Sequence, residues 1–153
     1  MRMRVAEAIL ERWFAEAVTV YAGQTAAFVT SEDDRFRNPV GHVLREGFLC
    51  IVQELLGGMD PVRLQQALEA VVRVRAIQSL TVGQAVGFVF PLRSILQDVE
   101  TGLAAETVAT RIDALAMLAF EEYVRCRERL VEVRLNEAVR SAAVPAAISR
   151  ARG

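Results

Sequence analysis

Ile112, Ala116, Ala119, Tyr123, Cys126, Leu130 and Val133 recur at alternating steps of four and three residues. That interval lines all seven side chains along one side of an α-helix, whereas a β-strand changes face at every residue and cannot use it. The stretch from about Glu106 to Ser141 is therefore predicted to be one long helix, closed by Pro145. Arg125, Arg127, Arg129 and Arg134 alternate around the seam with Glu121, Glu122, Glu128, Glu132 and Glu137, a mixture that reads as a solvated, salt-bridged surface.

The rest of the chain carries the same period in shorter pieces. Val5, Ile9, Trp13, Ala17 and Val20 predict an amphipathic helix over about 4–22, ended near Gly23. Asn38-Pro39 and Asp60-Pro61 are start signals: the first residue caps, and proline occupies the first helical position, where its missing N–H costs nothing. Val40, Leu44, Phe48, Ile51 and Leu55 mark a second helix that stops at Gly57-Gly58, and Leu64, Leu68, Val71 and Val74 a third running to about Gln78. Thr81 can cap a fourth to about Glu100, kinked at Pro91, with Gly83 and Gly87 spaced to let another backbone approach. No useful alternating pattern occurs, so the expected fold is all-α: one domain over 1–153, with a core of about five main helices over 4–141 and a short tail over 142–153.

Composition narrows the function classes. At 153 residues and 53% hydrophobic, the chain is long enough to bury one core. Its 18 basic residues, all arginine, nearly cancel 19 acidic ones, so no electrostatic feature points to nucleic acid. No run approaches the length of a membrane span, and Glu7 and Glu11 interrupt any leader-like apolar start, which implies a cytoplasmic protein. Two cysteines, Cys50 and Cys126, are too few for a disulfide framework; they read as reduced, packed side chains, with a redox role as the alternative.

Few residues could carry chemistry. The one histidine, His42, falls in line with Glu46 and Gln53 on the polar side of its helix, the place of a surface residue rather than of a metal or haem ligand. No nucleophile has an identifiable base near it in sequence, so no catalytic residue, metal or cofactor is assigned. Arg75 and Gln78 instead share the stripe of Leu68 and Val71, and Gln84 lines up with Phe88 and Pro91, which places polar groups where burial is expected. A buried guanidinium must meet a carboxylate, carbonyls at a helix end or a bound anion. Two arrangements follow. One is an internal network tying the third and fourth helices across Ser79-Leu80-Thr81. The other is a small-molecule site in which Arg75, Gln78 and Gln84 hold an anionic group beneath Phe88 and Trp13. Asp34, Arg35, Arg37 and Asn38 pose the same choice between anchoring a loop and binding.

Three segments together resemble the N-terminal domain family of the RsbT co-antagonist protein RsbRD. They are Asp34-Arg-Phe-Arg-Asn-Pro-Val-Gly41 with Leu44-Arg-Glu-Gly47, then Val72-Arg-Val-Arg-Ala-Ile-Gln-Ser-Leu-Thr-Val-Gly-Gln-Ala-Val-Gly-Phe-Val-Phe90, and Arg125-Cys-Arg-Glu128 with Glu137. The resemblance runs from Trp13 to about Arg140 and implies a haem-free, globin-like helical module of the stressosome type. Such a module dimerises, serves as a sensor and passes its signal to a downstream STAS domain. The resemblance brings no catalytic residues with it. It implies a non-enzymatic regulatory domain: a homodimer that binds a partner protein and takes a small ligand as an option, with Tyr123, Cys126, Leu130 and Val133 as interface candidates. The alternative is an anion-binding accessory protein of a metabolic complex such as sulfur metabolism, since similar free-standing domains occur beside genes of that pathway.

Overall fold

The computed structural model describes residues 1–20, 39–77 and 80–151, with the side chains of the last helix described as far as Val144. Among these residues the chain is all-α. In order it forms α1 (Arg2–Ala17) with a 3-10 turn (Val18–Val20), α2 (Pro39–Leu56), α3 (Pro61–Ile77), α4 (Val82–Val86), a 3-10 turn (Gly87–Val89), α5 (Leu92–Asp98) and α6 (Ala105–Ala151). The apolar stripes of α1, α2, α3 and the first part of α6 meet in one core, in which Ile9, Trp13, Phe48, Ile51, Leu55, Val71, Leu92, Ile95, Ile112 and Leu115 are completely buried. Each such side chain contributes on the order of 1.5–3 kcal/mol through its removal from water.

Both proline start signals sit at the first residue of a helix. At the second, Asp60 Oδ1 accepts from the backbone N–H of Val62 and of Arg63 at 2.9 and 3.1 Å, the geometry of an N-cap. The turn before it is pinned by Glu54, a buried carboxylate absent from the sequence expectations. Its Oε2 accepts from Asp60 N at 2.9 Å and its Oε1 meets Arg63 Nη1 at 2.7 Å, while Met59 takes a left-handed φ of 55°. Gly47 admits a close neighbour from another helix: a Cβ there would lie 2.5 Å from Val71 Cγ2 and 3.3 Å from the Ala67 carbonyl. Gly83 and Gly87 have nothing within 4 Å of that position, so the close approach expected there is not made.

Three boundaries differ from the periodicity. Helix α1 closes at Ala17 instead of about residue 22, because its last carbonyls find partners there: Thr19 Oγ1 donates to Glu16 O at 2.7 Å and Arg75 donates to Ala17 O. The fourth helix is not merely kinked but parted into α4 and α5 by the 3-10 turn, since Pro91 has no N–H to continue the ladder and Phe90 N bonds Gly87 O instead. Helix α6 continues through Pro145, the expected stop, to Ala151. The carbonyl that proline leaves unbonded is that of Ser141, which is exposed and can meet water.

Candidate functional site: the Arg75 junction and the free length of the long helix

Arg75, in the last turn of α3, is 1% exposed and joins three elements. Its Nε donates to Ala85 O at 3.1 Å, Nη2 to Gln84 O at 2.7 Å and Nη1 to Ala17 O at 3.2 Å. These carbonyls lie where α1 and α4 end, positions that a helix leaves unbonded and partially negative, so a fixed cation matches them. The guanidinium also lies over the Phe88 ring, 4.8 Å from its centroid, a favourable placement for a cation on an aromatic face. Phe88 is stacked in turn on Trp13 at 5.8 Å and 18°, and Trp13 Nε1 donates to Phe88 O. Phe48 sits 4.3 Å from Trp13 and 5.6 Å from both Phe14 and Phe88, completing an aromatic centre.

Of the residues singled out as ligand candidates, the structure therefore brings Arg75, Phe88 and Trp13 together. Gln84 is not among them: its side chain is exposed, its Oε1 accepts from Thr81 N at 3.1 Å, and Thr81 Oγ1 accepts from Gln84 N at 3.2 Å. This capping box uses Gln84 at the third position of α4, and the helical phase that aligned it with Pro91 is lost at the 3-10 turn. Gln78 lies outside the described residues, as do Asp34, Arg35, Arg37 and Asn38. His42 is half-buried and pairs with Glu46 on its own helix, Nε2 to Oε1 at 3.0 Å.

The interface candidates divide along α6. Tyr123 and Cys126 are buried in the protomer's own core, so the seam is used internally to that point. Burial pushes the Cys126 thiol above its ordinary ionisation range, and nearby Glu122 pushes the same way. Glu122, expected on the solvated, salt-bridged surface, is instead buried, because its helix face turns towards the body, and it accepts from Arg125 Nη1 at 2.8 Å. Leu130 is half-buried and Val133 is 52% exposed; with Ala76 and Ile77 at the end of α3 they line an apolar groove of about 240 Å³, edged by Arg73 and Arg129. Both arginines reach Glu69 of α3, Arg129 at 3.4 Å. From residue 127 to residue 144 no side chain of α6 is buried.

No helix among the described residues is long and apolar enough to cross a membrane. No curated protein and no solved structure matches the chain. The sequence profile of the RsbT co-antagonist protein RsbRD N-terminal domain, however, matches residues 7–138, from within α1 into the exposed part of α6. This chain belongs to the RsbRD N-terminal domain family.

Proposed function

We propose that the chain is a non-enzymatic regulatory module that acts by dimerising and by binding a partner protein through the outer part of α6. Family membership supports a sensor-type regulatory role. The observation that carries the reading is that α6 is buried only as far as Cys126 and then runs on with Val131, Val133, Leu135 and Val139 exposed. Leaving such residues in water gains nothing for a lone protomer, whereas covering them with another helix does. The groove formed by Ala76, Ile77, Leu130 and Val133 suits the apolar face of a partner helix, and its arginine rim suits acidic flanks on that helix. The interruption at Phe90 and Pro91 is where α4 and α5 can exchange between two arrangements, and a ligand acts on that exchange only through a difference in affinity for the two. The anion-binding alternative draws little support, because Arg75 donates to carbonyls and Gln84 turns outward.

Light scattering of the purified chain at tens of micromolar tests the first half of the proposal. The expected molar mass is twice 16.9 kDa, and a monomer removes dimerisation from the reading. For the second half, an Ile77→Glu, Val133→Glu variant should keep its helical circular dichroism and lose the partner that the unaltered chain retains. Equal retention by both removes the groove.

A further inference from the structure

Helix α6 is apolar on two opposite sides. Leu115, Ala119, Tyr123 and Cys126 face the body and are buried. Met117, Phe120, Val124, Val131, Leu135 and Val139 are between 38% and 68% exposed. At about 100° per residue these six fall within an arc of roughly 100°, centred opposite the buried seam, and they extend for about 33 Å at ~1.5 Å per residue. Near its middle the stripe is interrupted by Glu128, with Arg127 beside it on the border, and Glu121 lies at its edge in phase with Val139.

The charges bordering this stripe are sorted by sign. Helical phase places Glu121, Glu128 and Glu132 along one border and Arg127 and Arg134 along the other. Arg125, also on the acidic border, is drawn towards the seam side by buried Glu122, 2.8 Å away. Ahead of the stripe, Asp113 is held by Arg93 at 2.9 Å. When two copies of a helix pack in parallel about a two-fold axis, each border of one meets the opposite border of the other. Glu128 then comes nearly level with Arg127 of the second copy, and Glu132 with Arg134, on both sides of the contact. An antiparallel pair would set like borders together, with Arg127 facing its own equivalent. Flanking charges choose between such orientations, and a polar break in an apolar stripe fixes register.

We infer that this outward face of α6 is covered by a second copy of the chain, in parallel and in register. The inference rests on the dimerisation proposed above and adds its face and direction. It leaves both Ile77–Leu130–Val133 grooves on the outer sides of the pair, so one helix serves its twin with one side and a partner protein with the other.

Two variants test it. The first places a cysteine by Leu135→Cys in a Cys50→Ser, Cys126→Ala background. Parallel pairing brings the two new thiols together, and mild oxidation should link most of the chain at that position. Antiparallel pairing centred on the polar break keeps them about 22 Å apart at ~1.5 Å per residue, and no same-position link forms. The second, Val124→Glu with Val131→Glu, changes only exposed side chains; its helicity should persist while the dimer dissociation constant rises about 100-fold or more. A wild-type monomer sinks both this inference and the dimer reading. A dimer that survives the double substitution, or that links Leu135→Cys only to a Phe120→Cys chain, leaves dimerisation standing and overturns this face or this direction.

Discussion

Arg75 gathers backbone carbonyls from two other helices around one buried side chain. Replacing it with methionine keeps most of the volume but removes the donor from the carbonyls of Ala17 and Ala85, which are buried, and of Gln84, which is part-buried. Each such group costs about 1–3 kcal/mol, so Arg75→Met is expected to lose at least ~3 kcal/mol in urea denaturation followed by the single tryptophan, Trp13, whose buried ring stacks nearby. Arg75→Lys should recover little of this, since a point charge cannot address three carbonyls in a plane. A stability for Arg75→Met within 1 kcal/mol of wild type would show that the carbonyls are satisfied some other way. Cys126 gives a second prediction. Its thiol ionises at higher pH in the folded state than the ordinary 9.0, so the folded form favours the protonated side chain. The associated stability is fully present below the unfolded-state value and is lost as pH rises from there through the folded one. Stability should therefore fall above about pH 8.5–9, with a shallower fall in Cys126→Ala; identical pH profiles would contradict the assignment.

Among the elements, the contact of α2 with α3 depends on Gly47. A methyl group there would overlap the Val71 side chain at 2.5 Å and crowd the Ala67 carbonyl, so Gly47→Ala should cost about 1–3 kcal/mol by forcing the helices apart. Gly83 lies in the first turn of α4 with open space around it, and Gly83→Ala should instead stabilise by about 0.5–1 kcal/mol through helix propensity. Denaturation midpoints moving in opposite directions would check the pair; equal losses would mean that α4 is packed more tightly than its geometry indicates. The sequence pointed to Gly83 and Gly87 for close approach, because glycines four apart form a recognisable pattern, whereas a lone Gly47 in the run Leu44-Arg-Glu-Gly47 carries no such signal. The burial of Glu54, and of Glu122 where a solvated surface is expected, is hidden for a related reason. Each stands beside other polar residues on a helix, and only the position of the neighbouring helix or turn reveals that it is the one turned inward. The Thr81 cap and the two proline starts were legible, since capping involves residues only two or three apart and needs no distant partner.

At the scale of the molecule, α6 explains why one helix can be both core and arm. Its seam has the same period from Ile112 to Val133, yet full burial ends at Cys126, beyond which the end of α3 covers it only in part. A repeating pattern records that a face is apolar, but not how far a neighbour extends along it. The opposite stripe, Met117 to Val139, is equally periodic in the sequence and was eclipsed by the stronger seam. Near-neighbour physics is what the sequence determined by itself: a fold that is all-α among the described residues, its capped starts, an arginine on an apolar face, and membership of a helical regulatory family. Tertiary structure decided the rest. It brought Arg75 to the Ala17 carbonyl, 58 residues away in sequence, and set the point at which α6 leaves its own core, because both depend on helices that meet only once the chain is folded.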